Sequence, residues 1–138
     1  MDAFDADVLM YAAVPGHPLG NPVLALFPDP PPHDSGVFAG VGSMLLVPEV
    51  LAKPTRSGTD DEVRALAALL GRRDLCPRDE AIASLAVALG ASYGLRSADA
   101  VHLATAVSAG ADRFITNNRR EFSPVIEEIA VAYPTDLR

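Results

Sequence analysis

Positive charge is scarce in this chain. Lysine and arginine together number 11 against 18 Asp and Glu, a net of −7, and Lys53 is the only lysine. That balance argues against broad electrostatic capture of nucleic acid. Cysteine is nearly absent too. Cys76 stands alone, so no internal disulfide can form, no Cys/His spacing resembles a zinc site, and Cys76 reads as a small buried hydrophobe. Long apolar runs are missing, because Asp, Pro, Gly and Arg break every group well short of the roughly 20 residues a membrane span needs. The opening Met1-Asp2-Ala3-Phe4-Asp5 is acidic and lacks the basic region of a leader. A soluble, cytoplasmic protein with no membrane contact is the expectation.

What the chain does have is apolar content, 49% over 138 residues, which suits one core and predicts a single domain over residues 1–138. Pro28–Ser35 (PDPPPHDS) reads as a rigid polar loop. Phe4–Leu9 (FDADVL) alternates and predicts a first strand, and 18–27 (PLGNPVLALF) offers a short helix after Pro22. Val41–Val47 is a continuous apolar run of buried-strand length, with Pro48 and Glu49 opening the next helix. Thr59 caps a helix to about Leu70 with the stripe Val63, Leu66, Ala67 and Leu70, ended by Gly71. A short strand around Leu75 and Cys76 stops at Pro77, and Asp79 caps a helix with the stripe Ile82, Leu85, Ala86 and Leu89, closed by Gly90 or Gly94. Ser97 caps a third helix through Ala109, Gly110 ends it, Asp112–Thr116 forms a strand and Ala130–Tyr133 the last one. Strands alternating with helices imply a mainly parallel sheet covered on both faces, a three-layer α/β/α sandwich whose sites form at the carboxyl ends of strands.

Asp5 and Asp7 share one face of the predicted first strand, a costly place for charge unless it is paired, hydrogen-bonded or metal-bound. The alternative is that Asp7 lies past the strand and caps a turn while Asp5 accepts backbone bonds. Glu49 and Asp99 each sit in a predicted first helical turn, where the dipole favours a carboxylate regardless of function. What shifts the balance is that Asp5, Glu49 and Asp99 each fall at a junction between a strand or loop and a helix. Carboxylates converging there repel one another without a cation, and oxygen-rich clusters suit Mg²⁺ or Mn²⁺. A metal-dependent nuclease can be acidic overall, because bound cations neutralise such a cluster and contact phosphate. His102, three residues after Asp99, could share its helix face as a ligand or base, but the structural reading is preferred. His17 and His33 lie in loop-like stretches without partners at ligand spacing. Arg72 with Arg73, Arg96, and Arg119 with Arg120 are candidates for a local basic patch or for ordinary solvated surface.

Taken together, these residues resemble the PIN domain ribonucleases, especially the toxin half of VapBC toxin–antitoxin pairs. The marks are Asp5-Ala6-Asp7-Val8-Leu9 with Tyr11, Leu46-Val47-Pro48-Glu49-Val50-Leu51, and above all Leu95–Ala106 (LRSADAVHLATA) followed by Gly110–Phe122 (GADRFITNNRREF). The resemblance implies the PIN-like fold and a Mg²⁺-dependent endoribonuclease, with Mn²⁺ as a substitute. Asp5, Glu49 and Asp99 would coordinate metal and carry catalysis, and Thr116 would support the cluster through its hydroxyl. Asp7 stands where many relatives have Asn. Many relatives have Asp where this chain has Asn118, an amide without negative charge, and Glu121 substitutes for it if the loop turns back. RNA as substrate, a VapB-like antitoxin laying a basic side chain among the carboxylates, and a homodimer are implied as well. Two other classes compete. One is a catalytically weakened PIN-fold interaction module, suggested by Asn118. The other, a receiver-like phosphoacceptor domain, wants a lysine after a late strand, and Lys53 is not there.

Overall fold

Strand β1 (Asp2–Phe4) occupies the middle of a five-stranded sheet of order β3-β2-β1-β4-β5. Its partners are β2 (Gly40–Ser43) and β4 (Arg113–Ile115), while β3 (Arg73–Cys76) and β5 (Ala130–Ala132) form the edges. Every pairing is parallel. This computed structural model describes residues 1–27, 40–76 and 79–137. The loop Pro28–Ser35, His33 and Pro77 therefore lie outside the described residues. The Asp2 carboxylate accepts two bonds from the Arg113 guanidinium at 2.9 and 3.0 Å, which fixes the Asp2–Arg113 register at the start of the central pair.

Among the described residues six helices cover the sheet: α1 (Ala6–Ala12), α2 (Gly20–Leu24), α3 (Leu46–Ser57), α4 (Asp60–Leu70), α5 (Glu80–Tyr93) and α6 (Ser97–Ser108). The strand period of two divides the core between them. Ala3 and Phe114 point to a cluster with Ile82, Leu89, Leu103 and Phe122, under α5 and α6. Their chain neighbours Phe4 and Ile115 point the other way, to Val8, Leu9, Leu46, Val50 and Leu66 of α1, α3 and α4. The result is the three-layer α/β/α arrangement expected from the alternation of elements. Among the described residues no single helix is long and apolar enough to cross a membrane.

Several boundaries differ from the sequence reading. The expected strand Phe4–Leu9 is a strand ending at Phe4 and a helix beginning at Ala6, with Asp5 as its N-cap. Val8, Leu9 and Ala12 are buried at helical spacing, and over so few residues a period of two and a period near four are both satisfied. The apolar run Val41–Val47 splits likewise: its first part is β2, and Leu46 and Val47 already belong to α3, which places Glu49 in that helix's first turn. In α4 the buried set is Leu66, Leu69 and Leu70, while Ala67 faces solvent. Asp79 caps α5 as expected, accepting from the Ile82 N–H at 2.8 Å. Ser97 does not cap α6; it is the first helical residue, and Arg96 takes the cap position without a side-chain bond.

Candidate active site

In a parallel sheet all strands end on one side, and the central strand β1 ends at Phe4, immediately before Asp5. The Asp5 side chain is buried, 5% exposed, because the Asp5 N–H is tied to the Ile115 carbonyl of β4 at 2.8 Å and α1 starts immediately afterwards. Its Oδ1 accepts from the Ala6 N–H at 2.8 Å, and its Oδ2 accepts from the Thr116 hydroxyl at 2.8 Å. Thr116, the first residue after β4, is wholly buried and its oxygen in turn accepts from the Asn118 N–H at 3.0 Å. Asp7, in the first turn of α1, accepts from the Asn117 N–H at 3.1 Å through Oδ2 and from the Val8 N–H at 2.7 Å through Oδ1. The alternative weighed for Asp5 and Asp7 was therefore right about their local bonding: one caps a helix and the other lies past the strand.

Local bonding does not neutralise them. Burial pushes the Asp5 carboxyl above its ordinary pKa, against the Thr116 bond and the His102 charge that lower it. Burial, then the Asp5 charge, raises Asp7 to about 7, with Asp99 adding to the effect. Asp99, in the first turn of α6, is raised to about 6 by burial and then by the charges of Asp5, Glu121 and Glu49. Asp99 accepts no hydrogen bond among the described residues. Their convergence shows in these charges: Asp5 acts on Asp7 and Asp99, Asp99 acts on Asp7, Glu49 acts on Asp5 and Asp99, and Glu121 acts on Asp99, from three helices and the loop after β4.

Glu49 is joined to the cluster by His102. Oε2 of Glu49 lies 2.9 Å from Nε2 of His102, whose ring is buried in α6. Burial pulls the His102 pKa down, but the Glu49 bond and the carboxylates of Glu49, Asp5 and Asp99 outweigh it and hold the value above the ordinary one. Nδ1 of the same ring is buried with no hydrogen-bond partner among the described residues. No local pattern marks this pair, since the two residues lie 53 positions apart.

The loop after β4 does turn back. The Phe122 N–H reaches the Asn118 carbonyl at 2.9 Å, and the Asn118 side-chain oxygen accepts from the Glu121 N–H at 3.2 Å. Asn118 is thus occupied in shaping the turn, and Glu121 is the group whose charge reaches Asp99. Arg96 approaches Glu121 at 3.6 Å with its side chain 83% exposed. Arg119 lies over the Tyr133 ring at 4.0 Å and donates to the Thr135 hydroxyl at 2.8 Å. Of the basic residues picked out in sequence, Arg96, Arg119 and Arg120 accompany these loops, while Arg72 stacks near Phe27.

Among the described residues no three Asp, Glu, His or Cys side chains are already spaced to enclose an ion. Asp5, Asp7 and Glu49 are each held by donors of the protein in this arrangement. The donor set nevertheless fits a hard divalent cation, being all oxygen, anionic and self-repelling.

The protein is of the parallel α/β/α sandwich class, with acidic groups gathered at the carboxyl end of its central strand. The chain belongs to the PIN domain family, whose model matches residues 4–127. Among solved structures, a toxin–antitoxin complex from Klebsiella pneumoniae is similar at 25% identity and a TM-score of 0.72, covering 97% of this chain and 98% of the other. VapBC2 from Rickettsia felis, bound to a DNA fragment from its promoter, shares the fold at 13% identity and a TM-score of 0.68 over 96% and 97%. FitAcB from Neisseria gonorrhoeae does so at 20% identity and 0.67 over 99% and 100%. No curated protein sequence matches the chain.

Proposed function

We propose that the chain is a Mg²⁺-dependent endoribonuclease and the toxin of a toxin–antitoxin pair, with Asp5, Asp99 and Glu49 as metal ligands and catalytic groups. The observation that carries this reading is the placement of a buried Asp5 after β1, with Glu49 and Asp99 in the first turns of α3 and α6 near enough for their charges to be felt in the cluster. Such repulsion is tolerated where a cation relieves it. Membership of the PIN family and likeness to complexes described as toxin–antitoxin assemblies support the toxin assignment.

A bound Mg²⁺ or Mn²⁺ would supply positive charge for the phosphate and a more acidic water. The chain's own residues do the positioning. Thr116 and the Ala6 N–H fix the two oxygens of Asp5. Asp99 accepts no hydrogen bond among the described residues, which suits it to a ligand's role. Glu49 orients the attacking water, and Asp7, Thr116, Asn118 and Glu121 support the set. Water adds in line at phosphorus and the bond to the 3′ oxygen breaks, leaving a 5′-phosphate and a 3′-hydroxyl. Arg96, Arg119 and Arg120 offer cations to the RNA backbone that the net charge of −7 otherwise denies it. The same acidity suits a VapB-like antitoxin that places a basic side chain in the cluster, and a homodimer in the cytoplasm completes the proposal.

Labelled structured RNA with Mg²⁺ tests it, using the wild type, Asp5→Ala, Asp99→Ala and an EDTA control. The expected result is cleavage to 5′-phosphate ends by the wild type and near-complete loss in the other three. Products with 2′,3′-cyclic phosphates, or undiminished cleavage by both variants, would overturn the mechanism. A second reading, the weakened interaction module, draws on Asn118 and on the absence of a ready-spaced ion cage among the described residues. Silence in every arm, with no Mg²⁺ binding by calorimetry, selects it.

A further inference from the structure

We propose that His102 is a positioning residue for Glu49: Nε2 of its ring holds Oε2 of Glu49 so that Oε1 is presented to the cluster of Asp5 and Asp99. The proposal rests on the reading of that cluster as a divalent-cation site, and goes beyond it by giving a role to a residue that is neither ligand nor base.

A glutamate side chain has several rotatable bonds, and its freedom is lost when it is fixed in one geometry. At a partly exposed position such as Glu49, with 32% of the side chain exposed, nothing but a specific partner would hold it. His102 is that partner, 2.9 Å away and anchored in α6 among Ala100, Leu103, Ala104 and Ala106, all buried. Oε1 of Glu49 carries no hydrogen bond among the described residues, which leaves it available to a ligand.

The ring is a poor choice if stability were its only purpose. Its Nδ1 is buried without a partner among the described residues, and an unpaired polar atom in the interior is destabilising. Leucine fills a similar volume without that unpaired atom. What histidine supplies and leucine cannot is the N–H aimed at Glu49. Carboxylates that hold metal are commonly fixed by such outer partners, and loss of one typically lowers metal affinity by about 10- to 100-fold.

The test is calorimetric titration of Mn²⁺ into the wild type, His102→Leu, His102→Gln, Glu49→Ala and the His102→Leu/Glu49→Ala double variant, with melting curves of each in EDTA. The expected result is a His102→Leu chain that still melts cooperatively yet binds Mn²⁺ roughly 10-fold more weakly. The double variant should then bind no more weakly than Glu49→Ala alone, because His102 acts through Glu49. Wild-type affinity in His102→Leu, or a further loss in the double variant, overturns the positioning role while leaving the cation site standing. A wild type that binds no Mn²⁺ overturns both. Where His102→Leu melts well below the wild type, His102→Gln decides, since its amide retains a donor: wild-type affinity supports positioning, and affinity lost as in His102→Leu overturns it.

Discussion

The Thr116 hydroxyl donates to the buried Asp5 carboxylate and accepts from the half-buried Asn118 N–H, joining Asp5 to the Asn118 backbone across strands that are 111 residues apart in the chain. Thr116→Val keeps the shape and removes both bonds. Each buried group left unsatisfied costs about 1–3 kcal/mol, so the variant should lose about 2–4 kcal/mol in urea unfolding, whereas Thr116→Ser should lose under about 1 kcal/mol. A valine variant with the wild-type midpoint would remove Thr116 from its bridging role. Asp5, Asp99 and Thr116 were legible in the sequence because each stands at a recognisable place in a motif. The Glu49–His102 pair was not, because a histidine in an apolar helix carries no local mark of a partner on another element. Asn118 was read as a missing charge, and its work as the acceptor for the Glu121 N–H emerges only from the path of the turn.

At the level of elements, α1 carries both Asp5 and Asp7, and its placement depends on how closely α2 approaches it. A Cβ at Gly20 would lie 2.0 Å from the Tyr11 carbonyl oxygen and 2.9 Å from the Ala12 nitrogen. Backbone cannot yield as a side chain does, so Gly20→Ala should destabilise the fold by about 3 kcal/mol, at the upper end of ordinary overpacking. Melting curves check this, and an unchanged midpoint would show that α2 is free to move away from α1. Four strands and most helices lie where the sequence predicts them, since caps such as Asp79 and stops such as Gly94 leave local chemistry, whereas most of the stretch read as a first strand is α1; Gly94 adopts φ +67°, which glycine reaches without strain. The sequence reading misjudges where β1 and β2 hand over to α1 and α3. Both handovers fall within short apolar stretches whose burial satisfies strand and helix alike, and tertiary packing rather than pattern chooses between them.

For the whole molecule, the cluster makes stability depend on pH in an unusual sense. Asp7 and Asp99 titrate at about 7 and about 6 in the folded chain, above their ordinary 3.8. Between about pH 4 and pH 7 the folded state therefore binds more protons than the unfolded one, and stability falls as pH rises through that window. His102, also raised, acts in the same direction. In EDTA the melting temperature should be several degrees lower at pH 8 than at pH 5, and saturating Mn²⁺ should reverse the order, because cation binding favours ionised carboxylates. A metal-free melting temperature that is level or rising across this range would contradict the assigned ionisations. The order of the sheet has a further consequence, for biosynthesis. Asp5 leaves the ribosome early, but the β4 strand that buries it and the Thr116 that engages it come 111 residues later. A nascent chain released short of residue 113 can pair β1 with β2 but lacks the β4 partner of that strand and the Thr116 hydroxyl that engages Asp5.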